Sequence, residues 1–258
     1  DIVMLNQFHD ILPGSSIGAV YEDSDADYAR LFSDADDLRA RLLAALPGEG
    51  PQVFNPSGAV RSGLVTMPDA GGFISGQAIT RADGSSAHAL RVEALPPLSL
   101  VSLEAHTASA PQDVLEVSPG RLANPHVEVL FDAAGRMVSL LDRKTGRQLL
   151  KEGAIANRLQ AFRDMPAEYD AWDIDADFED QVFEIDELVS AEVVERGPLR
   201  AAIRFEWRYE ASRLVQVISL EAGARQVEVD CCIDWHEHNT LVKAAFPLAL
   251  NTAAVDAE

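Results

Sequence analysis

Cysteine is nearly missing: among 258 residues there are two, the neighbours Cys231 and Cys232. Adjacent cysteines can form only a strained bond, so no disulfide framework holds this chain, and the scarcity points weakly to a reducing compartment. On a strand the two would point to opposite faces, one of them serving as a small buried hydrophobe. Basic residues are scarce as well. With 21 Lys+Arg against 42 Asp+Glu the formal charge is -21, a field that repels nucleic-acid phosphates and anionic membrane surfaces. No apolar run approaches the roughly 18 residues needed to span a bilayer. No charged-then-apolar leader opens the chain, and its first residue is Asp rather than Met, which suggests a processed or cut chain. What is present is 47% hydrophobic, enough for a real core in one large or two modest domains.

The texture changes along the chain. Ile17, Tyr21, Ser24, Tyr28, Leu31, Ala35, Leu38, Leu42 and Ala45 recur in steps of four and three, which places them on one face of a helix over residues 15–46. Ser15 or Ser16 can cap its start after Pro13-Gly14. The seam is only partly bulky, as in packing within a helical bundle. Pro47, Gly48, Gly50 and Pro51 then break the helix. Short β-favouring runs follow at 52–54, 63–67, 72–74 and 99–104, separated by turn residues such as Asp83-Gly84 and Pro96-Pro97. A second series begins with the alternating 126–131, turns at Ala134-Gly135 and continues over 137–141. Longer strands are expected over 199–209, 213–221, 226–236 and 241–246. Three domains result: 1–48 as the end of a helical bundle, 51–112 as a small β domain, and 113–258 as a large antiparallel β-sandwich, incomplete at its end. The fold class is mainly β with an N-terminal helical segment.

Three polar clusters carry candidate chemistry. In LNQFHDILPGSSI, His9 and Asp10 sit between a helical run and a Pro-Gly break. An imidazole ligates metals, and a carboxylate ligates, orients or binds substrate. On a helix the neighbours would diverge by about 100°, so one could bind metal while the other binds substrate. The plain alternative is a helix-end polar pair. The second cluster is the acidic segment 164–187, with YDAWDID at its centre. Asp173, Asp175, Asp177 and Glu184 fall on a calcium-loop spacing, but Phe178 replaces the turn glycine. Trp172 between carboxylates suits a sugar, whose C–H face stacks on an indole while its hydroxyls donate to carboxylates. A solvated acidic loop with Trp172 in the core fits equally. In the third cluster, Asp234-Trp235-His236-Glu237-His238, the histidines would share one face of a strand, but no third ligand follows at a recognisable spacing, and exposed polar residues at a strand end are the commoner explanation.

Taken in order, these pieces resemble glycoside hydrolase family 38 α-mannosidases of the bacterial and cytosolic type. LNQFHDILPGSSI is similar to a family signature. So are VFNPSGAVRSGLV at 53–65, LANPHVEVLFDAAGRMVSLLDRKTGRQLL at 122–150, YDAWDID at 169–175, ERGPLRAAIRFEWRY at 195–209 and IDWHEHNTLVKAAFPL at 233–248. The resemblance implies a mutarotase-like super-sandwich and a retaining exo-glycosidase that acts on terminal α-mannosides of oligosaccharides. It implies one catalytic zinc, for which His9 would be a ligand, with Asp10 binding mannose hydroxyls. Trp172 and Asp173 are expected at the rim of the sugar site. The family's other zinc ligands, a His-x-Asp pair, and its nucleophilic Asp lie in an N-terminal catalytic domain. None of the six histidines here has Asp two positions later. The chain is therefore expected to be the C-terminal portion of such an enzyme, inactive alone, with no catalytic residue of its own and with its own N-terminal domain as partner. A bacterial cytoplasmic setting is expected, a homo-oligomer is compatible, and neither nucleic acid nor membrane is a partner. The alternative is a non-catalytic carbohydrate-binding or structural β-sandwich module, in which Trp172, Trp207 and Trp235 stack on sugar.

Overall fold

The computed structural model describes residues 1–46, 50–68, 76–169 and 172–251. The strand expected over 72–74 and the Pro47-Gly48 break lie outside the described residues. The chain divides into two compact units: Asp1–Gly50 with Asp164–Asp180, and Pro51–Arg163 with Gln181–Glu258. No helix among the described residues is long and apolar enough to cross a membrane.

In the first unit, α1 (Ile2–Asn6) and α2 (Gly18–Ala45) are joined by a run of turns. Asn6 is buried and donates from Nδ2 to the Ile2 carbonyl at 3.1 Å and to Asp27 Oδ2 at 3.5 Å. The expected serine cap does not form. Ile17 holds the N-cap position, and no side chain caps the helix. The Ser15 hydroxyl donates to the Asp10 carbonyl at 3.4 Å instead, and the Ser16 backbone N–H donates to the Tyr21 hydroxyl at 2.9 Å. Along the expected seam Ser24 is buried and Tyr21, Tyr28 and Leu31 are half-buried, whereas Leu38 and Leu42 are exposed. The apolar face of α2 is thus covered only in its first half within this unit. The loop 164–180 completes the unit with a short 3-10 turn at Phe178–Asp180.

The second unit is entirely antiparallel in its strand pairing. Its first part has β1 (Gln52–Asn55), β2 (Arg61–Pro68), β3 (Gln77–Thr80), β4 (Ser86–Leu95), β5 (Ser99–Ser102), the turn-long α3 (Leu103–His106) and β6 (Thr107–Ala108). β4 is the spine of this sheet: β2 pairs along one edge, and β3 and β6 share the other. β1 pairs with β5 alone. There follow β7 (Glu116–Ser118), β8 (Arg121–Ala123), β9 (Val127–Phe131), β10 (Met137–Asp142) and β11 (Arg147–Gln148), a meander paired in sequence order. β9 shows the simplest reading of a half-buried strand: Val127, Val129 and Phe131 point inward and the residues between them outward.

β12 (Arg158–Arg163) lies between β13 (Val182–Glu184) and a late strand, and β14 (Glu187–Arg196), β15 (Arg200–Tyr209), β16 (Ser212–Glu221) and β17 (Glu228–Asp234) form a four-stranded sheet in that order. The late strand is β18 (Thr240–Ala245). The main core joins the meander to this sheet through Leu122, Val129, Phe131, Ile203, Phe205, Trp207, Leu214 and Ile218. Phe131 packs tilted against Phe205, and Phe205 stacks on Trp207, with ring centroids 5.0 and 5.5 Å apart. The Ala134-Gly135 turn presses on them. Trp207 Nε1 donates to the Ala134 carbonyl at 2.9 Å, and a Cβ at Gly135, whose φ is +76°, would sit 2.8 Å from Phe205.

Strand alternation fails at β16 for a physical reason. Val215 and Val217 are buried as fully as Leu214 and Ile218. They pack with Ala82 of the β3–β4 connection, with Ala202, and with the partly buried Val194 and Cys232. The sheet is covered on both faces, which selects a nearly continuous apolar run rather than a period of two. Cys231 and Cys232 on β17 are both free.

The two β layers are joined by a buried charge. The Glu195 side chain is 1% exposed. Its carboxylate accepts from Arg200 Nε at 2.8 Å and Nη2 at 2.5 Å, from the Thr80 backbone N–H at 2.9 Å and from Gln77 Nε2 at 3.3 Å. Gln77 Oε1 in turn accepts from the backbone N–H groups of Leu199 and Arg200. Removing one member of such a pair strands the other. Glu195→Ala is expected to cost about 3–5 kcal/mol in urea unfolding, whereas substitution of the exposed Glu152 should shift the midpoint little.

A second, shallower ion pair gives a pH signature. Glu206 lies between Arg213 and Arg204, and the hydrogen bonds from Arg213 pull its carboxyl down to about 2 from an ordinary value of 4.5. Its contribution is therefore full above the unfolded-state value and is lost as pH falls through about 2. The stability gap between the wild type and Glu206→Gln should be widest near neutrality and close in acid unfolding curves taken toward pH 2.

Candidate functional site

His9 and Asp10 sit in turns beyond α1, not on a helix. The Phe8 carbonyl accepts from the N–H groups of Ile11 at 2.9 Å and Leu12 at 3.0 Å, and Gly14 closes the run with φ of +88°. Tyr21, one turn into α2, holds this run in place. Its hydroxyl accepts from the Ser16 N–H at 2.9 Å and shares its own proton between the carbonyls of Asp10 at 3.3 Å and Ile11 at 3.4 Å. In the sequence Tyr21 reads only as a helix-seam residue, because nothing in a periodicity marks which carbonyls a phenol will reach.

The helical expectation of diverging side chains is replaced by a converging pair. His9 Nε2 is 3.4 Å from Asp10 Oδ2, and the two side chains are 74% and 35% exposed. The imidazole leans on the Phe8 ring at 4.3 Å, which leaves it accessible as a donor or ligand. Asp10 Oδ1 is buried and has no hydrogen-bond partner. A buried carboxylate oxygen without a donor is costly, so this is an unmet acceptor.

The acidic loop belongs to the same compact unit. It is shaped by Tyr169, whose φ is +56° and whose carbonyl accepts from the N–H groups of Trp172 at 2.7 Å and Asp173 at 2.9 Å. That turn presents Trp172 65% exposed, with Asp173 exposed beside it. Asp170 and Ala171 of the same motif lie outside the described residues. The reading with Trp172 in the core is thereby corrected. His9, Asp10, Trp172 and Asp173 come together in one unit although more than 150 residues of sequence separate the two pairs. Asp164, at the head of the loop, carries another buried oxygen without a partner, Oδ1.

The remaining candidates are accounted for structurally. Glu184, the last position of the calcium-loop spacing, lies in β13, where it is ion-paired with Arg158; that hydrogen bond lowers its carboxyl below the ordinary range. β17 ends at Asp234, so His236 and His238 do not share a strand face. His236 Nε2 lies 3.0 Å from Asp234 Oδ1, and Glu237 Oε1 accepts from Ala211 N and Ser212 Oγ at 2.9 Å. This motif closes the strand end. Trp207 is buried in the core, and Trp235 stacks on Tyr209 at 5.7 Å. Of the three tryptophans only Trp172 is a strongly exposed platform. Among the described residues no group of three or more His, Cys, Asp or Glu is placed to hold a metal ion.

Residues 122–258 match the C-terminal domain of glycosyl hydrolases family 38, and residues 1–46 match the α-mannosidase middle domain. The chain belongs to glycosyl hydrolase family 38. It is 28% identical to human alpha-mannosidase 2C1 over 267 residues, covering 98% of this chain and 24% of that protein. It is 21% identical to alpha-mannosidase G of Dictyostelium discoideum over 297 residues, covering 93% of this chain and 27% of that protein. The chain thus spans about a quarter of the length of the curated relatives it matches. A crystal structure of an alpha-mannosidase from Enterococcus faecalis V583 superimposes with a TM-score of 0.63 at 13% identity, covering 93% of this chain and 37% of that one. That likeness is one of fold, and it agrees with a family 38 C-terminal portion built mainly of antiparallel β-sheet.

The Tyr21 clamp is directly testable. Tyr21→Phe removes the bonds to Ser16, Asp10 and Ile11 while keeping the ring. It should cost about 1 kcal/mol and speed hydrogen exchange at the Ser16 amide, with β15 and β16 amides unaffected.

Proposed function

We propose that this chain is the C-terminal part of a zinc-dependent retaining α-mannosidase that removes terminal α-mannosides from oligosaccharides. The observation that carries the reading is the accessible His9 imidazole fixed beside Asp10, whose inner oxygen awaits a donor, in the unit that also holds Trp172 and Asp173. His9 is the residue here that would hold zinc. One imidazole is an incomplete ligand set, so the others come from a catalytic domain elsewhere in the longer protein, as does the nucleophile. Zinc, when bound, supplies a positive centre that grips adjacent sugar hydroxyls. Asp10 accepts a hydroxyl proton of the mannose and orients it. Trp172 offers its face to the sugar's C–H groups, and Asp173 accepts a hydroxyl at the rim. The protein works in a bacterial cytoplasm on this reading, consistent with its two free cysteines.

The 258-residue chain alone is expected to leave an aryl α-mannoside intact. In the full-length protein, His9→Ala should lower zinc content measured by atomic emission and abolish hydrolysis. Asp10→Asn should retain zinc but lose about 10–100-fold in kcat/KM, the worth of a hydrogen bond to a charged group. Hydrolysis by the isolated chain at full-enzyme rates, or full zinc content in His9→Ala, would overturn the assignment. Zinc-free glycan binding by the isolated chain would point instead to a carbohydrate-binding module.

A further inference from the structure

We infer that Asp164 is another substrate-contacting carboxylate, accepting a hydrogen bond from a mannose hydroxyl; this rests on the mannosidase reading above. Two buried side-chain polar atoms among the described residues lack a hydrogen-bond partner, and both are carboxylate oxygens, Asp10 Oδ1 and Asp164 Oδ1. Both belong to the small unit that holds His9, although the larger unit contains most of the chain's buried polar groups. Glu195, Asn124, Asn157 and Gln216 of that larger unit are buried deeply and are all bonded. An orphaned carboxylate oxygen is unfavourable in a finished fold, so a donor from outside is expected to complete it.

Position supports a binding role. Asp164 is the first residue after β12, whose Leu159, Ala161 and Phe162 are buried and whose two edges are both paired. Asp164 also begins the loop that carries Trp172 and Asp173. No donor among the described residues reaches Asp164 Oδ1, and a neutral hydroxyl of the substrate can supply the missing bond. A sugar hydroxyl donates one proton to such an oxygen without adding charge.

The test is a double-mutant cycle between enzyme and substrate in the full-length protein, with aryl α-mannosides lacking the 2-, 3-, 4- or 6-hydroxyl in turn. Asp164→Ala should lose about 10–100-fold in kcat/KM on the parent mannoside, with an unchanged melting temperature. For one deoxy substrate, wild type and variant should become nearly equal. Asp164→Asn, which keeps an acceptor oxygen, should fall between them. An active wild type with equal losses on every analogue, or no loss at all, would overturn the assignment. So would failure of both variants to fold, since it would make the carboxylate a structural group. A wild type inactive on all α-mannosides would overturn the mannosidase reading itself.

Discussion

Glu195 sits where water does not reach, and residues from two β layers converge to keep it satisfied. Arg200, one hairpin turn away, neutralises it from the same sheet; Thr80 and Gln77 reach it from the other layer. A charge buried this deeply is tolerated only when every lone pair has a donor. The pairing therefore fixes how β3 lies against β14 and β15. Once that contact is set, Ala82 covers Val215 and Val217, and the Ala82 N–H finds Asp230 Oδ2 at 2.9 Å. Hydrophobic burial supplies most of the stabilisation of such a joint, and the ion pair supplies its register.

Much of the fold was legible in the sequence. The expected strands over 199–209, 213–221, 226–236 and 241–246 lie on β15 to β18, with ends displaced by one or two residues. They were legible because turn residues bound them and because β-branched and aromatic residues fill them. The two-sided burial of β16 was not, since its second cover comes from Ala82, more than 130 residues away. The serine cap failed for a related reason: a capping motif states what serine can do, while the Ser15 hydroxyl turns back to the Asp10 carbonyl.

The candidate site was legible in its residues but not in its geometry. His9 and Asp10 stood out by position, Trp172 and Asp173 by composition. Their membership of one compact unit comes from tertiary contact between segments distant in sequence, which no local pattern encodes. Nor does sequence tell which polar atoms a fold leaves without partners. That distinction separates Asp10 from the acidic residues on α2, whose carboxylates stand in solvent or pair with a neighbouring arginine.

The loop 164–180 leaves the sheet at β12 and returns at β13, strands paired directly through Phe162 and Val182. Its two anchor points therefore lie about 5 Å apart, whatever the sequence between them. For a closed excursion of this kind the entropy of closure grows only logarithmically with length, about 0.6 kcal/mol per doubling. The segment is an exchangeable cassette: evolution can lengthen, shorten or recompose it while the strand register beneath stays untouched. A new insert between the same two posts then needs no change in the β scaffold.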